Sequence, residues 1–321
     1  MNKTEILILK SLRKAYQTFS NPKVKAKPIC EQDPDIASEI IYKALLSDKP
    51  FMIARFGANE LACVTNYLSV KIQKHNIFSY IKGDQFDWWW NSNIINKMYV
   101  GAGFFPPEID KIEQFCESML EVIPQVDFLG SWLASENNIE HLMGYHHKIK
   151  LIHFDPFWSS QPWTRALEGK KVLVVHPYAS TIEKQYKNRE LIFKNNLLPV
   201  FELHTIKAVQ SIAGLKTEFS DWFEALEHMK SQINKIDFDI CLIGAGAYGF
   251  PLAAHVKQIG KKGFHIGGSL QLLFGIRGKR WERENYNSDY NYTKLMNEYW
   301  VRPGDEETPL NANAVENACY W

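Results

Sequence analysis

The sequence predicts a three-layer α/β/α fold around a mostly parallel sheet, and three observations predict it. Short apolar runs such as KKVLVVHP and FDICLIGAG read as strands buried on both faces, because they lack the polar alternation of a half-solvated strand. Segments of helical period, SDWFEALEHMKSQI and YGFPLAAHVKQIG, lie between such strands. Strands that alternate with helices of this length build parallel βαβ units.

In chain order, MNKTEILILKSLRKAYQTF reads as an amphipathic helix, carrying acid and base among its apolar positions and lacking the cleavage site of a signal peptide. NPKVKAKPICEQDPD, rich in Pro and Lys, breaks every period, so residues 1–34 form an N-terminal helix and connector. A single α/β domain is expected over residues 35–284. It opens with a helix to Leu46, the strand PFMIARF and a helix beginning near Asn59. A tryptophan-rich segment without assigned period follows. Alternation resumes with KMYVGAG as a strand, a helix from Pro107 to about Val122, and short strands near VDFLG and KLIHF. After KKVLVVHP comes the helix STIEKQYKNRELIFKN, for which Ser180 or Thr181 is the expected N-cap. LPVFEL is the next strand, Gly260 stops the helix YGFPLAAHVKQIG, and GFHIGG is the last strand. Residues 285–321, polar and aromatic, read as an irregular wrap over the body.

Ten tryptophans, nineteen phenylalanines and 45% hydrophobic residues give the composition of a chain that folds rather than one that stays disordered. A formal charge of +1, with acids and bases interspersed, supplies no field for non-specific nucleic-acid binding, which excludes nucleic acid as a partner. Five cysteines form no CxxC pair and no Cys/His metal spacing, and read as reduced thiols of the cytoplasm. No apolar run reaches the roughly 18 residues of a membrane span. The expected location is cytoplasmic, with the basic side of the first helix suited to weak contact with the inner membrane surface, and homo-oligomerisation stays open.

Ligands of an open parallel sheet bind beyond the carboxyl ends of its strands. Four stretches that follow predicted strands differ from ordinary turns: RFGANE, HPYASTIEKQY, GAGAYG and HIGGSLQLLFGIRGKRW. They are expected to meet on one rim. Helix N-termini there favour an anion, glycines let it approach the backbone, and Arg277, Lys279 and Arg280 add charge-assisted bonds, so a phosphate-bearing small molecule is the expected ligand class. Gly244, Gly246 and Gly249 also fit G-x-G-x-x-G, which opens the alternative of an NAD(P)- or FAD-dependent oxidoreductase. Such enzymes carry an acid about twenty residues further on. Here GFHIGG ends in His265, Ile266 and two glycines, with no acid before Glu282.

LLSDKPFMIARFGANE, with the later LIGAG and LAAHVKQIGKKGFHIGG, resembles the GT-D type glycosyltransferases, whose hallmark is an R-x-G-D-G-E segment after the first core strand. The resemblance covers both ends of the α/β body, from about Ser38 to Arg280. It implies a Rossmann-like catalytic domain that transfers a sugar from a nucleoside-diphosphate sugar, a UDP-sugar being favoured, with a metal held by an Asp-x-Glu pair. Arg55 and Gly57 match the motif, Glu60 matches its second acid, and Ala58 stands where the first Asp belongs. A divalent cation needs oxygen ligands. A Mn2+ or Mg2+ site would therefore rest on Asn59 and Glu60, and the metal requirement stays open. The implied acceptor is a glycan of a bacterial polysaccharide or glycoprotein. Ala58 itself suggests another class, a non-catalytic nucleotide-sugar- or polysaccharide-binding protein.

Each candidate residue also has a plain structural alternative. Glu60 is a metal ligand or general base, or a first-turn glutamate that suits the helix dipole. Arg55 clamps a phosphate or pairs with Glu60. His176 is an acid/base group or a hydrogen-bonded histidine, and Tyr178, Ser180, Thr181 and Lys184 follow it as a cluster within reach of a diphosphate. Gly244, Gly246 and Tyr248 belong to the second glycine turn. His265, Gly267, Gly268 and Gln271 offer backbone approach and hydrogen bonds to a ribose or sugar. Catalysis is expected to stabilise the leaving diphosphate through Arg55, Lys184, Arg277 and Arg280. Trp88, Trp89 and Trp90 offer faces for a sugar or for packing, and Asp84 and Asp87 are further acids near them.

Overall fold

The structure is a computed structural model that describes residues 1–20, 26–309 and 319–321. Residues 21–25 of the connector and 310–318 of the wrap lie outside the described residues. Helix α1 (Lys3–Phe19) starts at a reciprocal cap: the Asn2 side chain accepts from the Glu5 N–H and the Glu5 carboxylate from the Asn2 N–H, both at 2.9 Å. Helix α2 (Pro34–Leu46) is capped by Asp33 and has proline in its first turn. Then come β1 (Phe51–Ala54), α3 (Ala58–Lys71), α4 (Ile77–Lys82), α5 (Ser92–Ala102), α6 (Ile109–Val122), β2 (Phe128–Ser131) and β3 (His147–Lys150). The second half holds β4 (Lys171–His176), α7 (Ala179–Tyr186), α8 (Arg189–Ile192), β5 (Glu202–Lys207), α9 (Trp222–Ile233), β6 (Ile240–Ile243), α10 (Gly249–Gln258), β7 (Lys262–His265) and α11 (Leu270–Leu273).

The seven strands pair in parallel in the order β3-β2-β1-β7-β6-β4-β5. Their side chains alternate between two cores, which makes the three layers. Met52, Ala54, Leu173, Val175, Cys241 and Ile243 meet residues of α3, α5, α6, α9 and α10. Ile53, Val172, Val174, Ile240 and Leu242 face the opposite core, filled by α2, α7, α8, α11 and the tail residues Tyr292, Trp300 and Trp321. Val172 to Val175 are 0% exposed. At about 1.5–3 kcal/mol for each buried side chain, burial outweighs the ~1 kcal/mol span of strand propensity, so the double-sided core fixes β4.

Four expected elements are corrected. KMYVGAG is the last part of α5, not a strand: Asn91 caps the helix, Ile94, Ile95, Met98, Tyr99 and Ala102 recur at helical spacing, and Gly103 ends it at φ +74°. KLIHF leaves the sheet after Lys150 and turns as a 3-10 helix. LPVFEL joins the ladder only at Glu202, because the Tyr186 hydroxyl accepts from the Phe201 N–H at 2.6 Å and donates to its carbonyl at 2.8 Å, taking both backbone groups. STIEKQYKNRELIFKN is likewise divided, into α7 and α8. Helix α1 packs Ile6 and Leu9 on Tyr80, Trp88 and Trp89, with the Arg13 guanidinium 4.7 Å from the Tyr80 ring centroid. Among the described residues no helix is long and apolar enough to cross a membrane.

Candidate functional site

From β1 the chain moves outward to β2 and β3, whereas β7, β6 and β4 lie on the other side of β1. Such a divergence opens a crevice at the carboxyl ends of the strands. A cavity of about 470 Å³ lies there, lined by residues that follow β1, β4, β6 and β7.

Arg55 leaves β1 at the centre of this rim. Its half-buried guanidinium lies 5.0 Å from the Trp132 ring centroid and makes no hydrogen bond or ion pair among the described residues, so the expected pair with Glu60 is not formed. Burial lowers its pKa, opposed by the nearby Glu60 charge; guanidinium remains protonated regardless. Trp132 is held firmly. Its indole N–H donates to the Phe56 carbonyl at 3.0 Å, and its backbone N–H and that of Leu133 donate to Glu136 at 2.9 Å. Glu136, fully buried, also accepts from the Ser131 hydroxyl.

Glu60, in the first turn of α3, folds back over Gly57, where an added Cβ would stand 1.9 Å from Oε2. Gly57 has an ordinary φ of −72°, so glycine serves here to leave space for the Glu60 carboxylate and not for backbone conformation. Burial raises the Glu60 pKa, against the pull of its own backbone N–H and of Arg55. The Asn59 amide nitrogen packs toward Gly101, 2.8 Å from the position of a Cβ there.

Both histidines of the rim are buried and neutral. Burial brings His176 down to about 3; burial and the Arg55 charge do the same for His265. His176 Nδ1 accepts from the Tyr178 N–H at 3.0 Å, which leaves Nε2 as its proton-bearing nitrogen. His265 Nδ1 lies 3.3 Å from the Ile243 carbonyl and donates to it, which leaves Nε2 as an acceptor. Glycines make room for these rings. A Cβ on Gly244 would stand 2.6 Å from His176 Cδ2, and one on Gly249 would stand 2.1 Å from the His265 ring. The third glycine of G-x-G-x-x-G thus seats a histidine. Gly246 and Tyr248 also line the cavity, as do Gly267, at φ +88°, and Gly268. The Gln271 amide N–H donates to the Ile276 and Tyr320 carbonyls, both at 3.1 Å, while its buried Oε1 has no partner among the described residues.

The structure does not bring every expected residue here. The Ser180 N–H, the Thr181 N–H and the Thr181 hydroxyl all donate to the buried carboxylate of Glu307, which comes from the tail. The expected Ser180 or Thr181 cap is therefore corrected: Tyr178 occupies the cap position and Glu307 does the capping. Lys184 and Lys279 are exposed and line no cavity described here, and Arg277 Nε lies 3.8 Å from Glu282. Arg280 does face the cavity, its guanidinium 4.5 Å from the Tyr320 ring centroid and 3.2 Å from the Tyr320 hydroxyl. Trp88 and Trp89 pack with α1 and Tyr80, Trp90 donates to Glu113, and Asp87 accepts from Asn91. The run of three tryptophans belongs to packing.

Sequence reading missed Trp132, Tyr286 and Tyr320, and with them a second cavity of about 490 Å³ beside the first. Arg55, Trp132, Gly268, Arg280, Tyr286 and Tyr320 line both. One signal was available for Trp132, which directly follows the strand VDFLGS in the way that Arg55 follows PFMIA.

The donor set does not fit a divalent cation. Ala58 supplies no side-chain oxygen, Glu60 is the sole carboxylate among the described residues lining the first cavity, and no group of three or more His, Cys, Asp or Glu converges among the described residues. Two guanidiniums, those of Arg55 and Arg280, face the same cavity.

Comparison with curated proteins and with solved structures gave no match. The family described as the GT-D fold-like domain matches residues 33–273. That span contains every strand of the sheet, the Arg55–Glu60 segment and the two rim histidines, His176 and His265. The chain therefore belongs to the GT-D-like family and carries a glycosyltransferase-type domain.

Proposed function

We propose that the chain transfers a sugar from a nucleoside-diphosphate sugar, a UDP-sugar being favoured, to a glycan acceptor, and that arginines take the work of a metal at the diphosphate. Arg55 carries this reading. A guanidinium partly withdrawn from water, stacked on Trp132 and with no carboxylate bonded to it among the described residues, is costly until an anionic ligand arrives. Arg280 adds a second positive charge on the same cavity, and the N-terminus of α3 adds its dipole. As the bond from the sugar to the diphosphate breaks, charge grows on the leaving oxygen, and these fixed groups stabilise it without reorganisation. The unpartnered Gln271 Oε1 is suited to accept from a ribose or sugar hydroxyl. His176 presents Nε2–H as a donor.

Thermal-shift measurements with UDP, GDP, UDP-sugars and nicotinamide dinucleotides, with and without Mn2+, test the proposal. Stabilisation by a nucleoside diphosphate that does not depend on Mn2+ is expected. Stabilisation by a dinucleotide alone would overturn it in favour of an oxidoreductase. Donor binding without release of UDP from any UDP-sugar would identify a binding protein.

A further inference from the structure

The donor reading places no group in the second cavity beyond the wall that it shares with the first. It lies over the carboxyl ends of β2 and β3, beyond the wall of Arg55, Trp132 and Gly268. Trp281, Tyr286 and Tyr292 give it aromatic sides, and Asp155 is its sole carboxylate among the described residues. Asp155 is 6% exposed. It accepts from the Tyr292 hydroxyl at 2.5 Å and from the Ser269 side chain, and no cation pairs with it among the described residues. Ser269 directly follows Gly268, which lines both cavities, so the carboxylate sits next to the shared wall.

The groups around Asp155 are Tyr286 and Tyr292, with Arg55, Arg280, Lys27, Lys150 and Cys30 elsewhere on the same cavity. Lys150 is engaged with Asp289 at 2.9 Å. Burial pushes the Asp155 carboxyl up to about 6, where it exchanges a proton near neutral pH. Aromatic faces suit the C–H face of a pyranose ring. A carboxylate beside such faces, on a cavity whose wall also carries Arg55 and Arg280, has the surroundings that an acceptor hydroxyl needs next to a departing diphosphate.

We propose that the second cavity is the acceptor subsite, taking the terminal sugar of a glycan, and that Asp155 receives the proton of the attacking hydroxyl. The inference rests on the donor reading above. The acceptor O–H bond breaks and its proton moves to the Asp155 carboxylate. The freed oxygen bonds to the anomeric carbon of the donor sugar. The bond from that carbon to the diphosphate breaks, and its electron pair leaves on the diphosphate beside Arg55 and Arg280.

The test uses the full chain, with UDP binding read by calorimetry and hydrolysis of UDP-glucose, UDP-galactose and UDP-N-acetylglucosamine, in which water takes the acceptor's place. Asp155→Asn should leave UDP affinity and the donor KM unchanged, lower kcat by roughly 100-fold or more, and abolish the acidic limb of kcat near pH 6. Asp155→Glu should restore part of the rate. Tyr292→Phe separates the alternatives: a merely structural Asp155 predicts an equal loss there, the proposal a small one. Cys30 gives an independent readout, because it is the half-buried cysteine and lines the second cavity alone, whereas the other four are buried. Methyl glycosides should slow its alkylation by N-phenylmaleimide, and UDP should not. If UDP binds while neither Asp155→Asn changes hydrolysis nor any glycoside protects Cys30, the acceptor assignment is overturned alone. If no nucleoside diphosphate binds, the donor reading is overturned and this one with it.

Discussion

Two helix N-termini on the same rim look alike in sequence and differ in the fold. Helix α3 begins at Gly57, receives no hydrogen bond from a capping side chain, and exposes Gly57, Ala58, Asn59 and Glu60 to the first cavity. Helix α7 begins after Tyr178, and its Ser180 and Thr181 N–H groups are already bonded to Glu307. The orphan donors of a helix start attract an anion in both places. At α7 the protein supplies that anion from 126 residues further along the chain, so the position is structural. At α3 the Glu60 carboxylate accepts from its own N–H, and Arg55 beside it has no anion bonded to it among the described residues, which is why we assign this position to a ligand.

The comparison can be broken by acid. His176 and His265 are neutral in the fold, at about 3, against an ordinary 6.5 in the unfolded chain. Below 6.5 the unfolded state binds protons that the folded state refuses, so their contribution is complete above that pH and is lost as pH falls toward 3. Asp155 runs the other way, with full contribution below its ordinary 3.8 and loss as pH rises through about 6. Urea denaturation across this range should show the largest change on acidification, reduced in His176→Gln and in His265→Gln. Next in size, Glu307→Ala strands the donors of α7 and should cost about 3 kcal/mol in the same assay, with no specific loss of UDP affinity beyond what unfolding explains.

Arg55→Ala sharpens the contrast from the other side. It should weaken UDP binding by about 2–3 kcal/mol, roughly 30- to 150-fold by calorimetry, with little change in stability because the guanidinium has no hydrogen bond or ion pair among the described residues and only its contact with the half-exposed Trp132 ring is lost. Gly57→Ala should displace the flexible end of Glu60 and slow donor turnover on the order of tenfold while the melting temperature holds. Lys184→Ala should change neither binding nor stability, since Lys184 is exposed and away from both cavities.

The parts legible in sequence were those governed by local pattern. Continuous apolar runs such as Val172 to Val175 announce a strand buried on both faces, and strand-to-helix junctions with glycine announce the rim. Arg55, Gly57, His176, Gly244, His265 and Gln271 do line the first cavity. What stayed illegible depends on distant chain segments. Nothing near Ser180 says that Glu307 will occupy its N–H group, and nothing near Arg280 says that Tyr320 will lie against it. Asp155 carries no motif. Its raised pKa comes from burial, and its hydrogen bonds from Tyr292 and Ser269, which only the folded tail and the chain after β7 bring to it. KMYVGAG misled for a local reason: a β-branched and aromatic helix end resembles a strand when its Asn91 cap is overlooked.

On the proposed reading the donor diphosphate binds between Arg55 and Arg280 at the start of α3, and a crystal structure of the chain with UDP is the decisive test. Phosphate oxygens are expected within hydrogen-bond reach of both guanidiniums and of the Gly267–Gly268 turn, with no metal between them and with Glu307 still bonded to Ser180 and Thr181. A diphosphate that displaces Glu307 from the start of α7, or one held through a cation on Glu60 and Asn59, would contradict it.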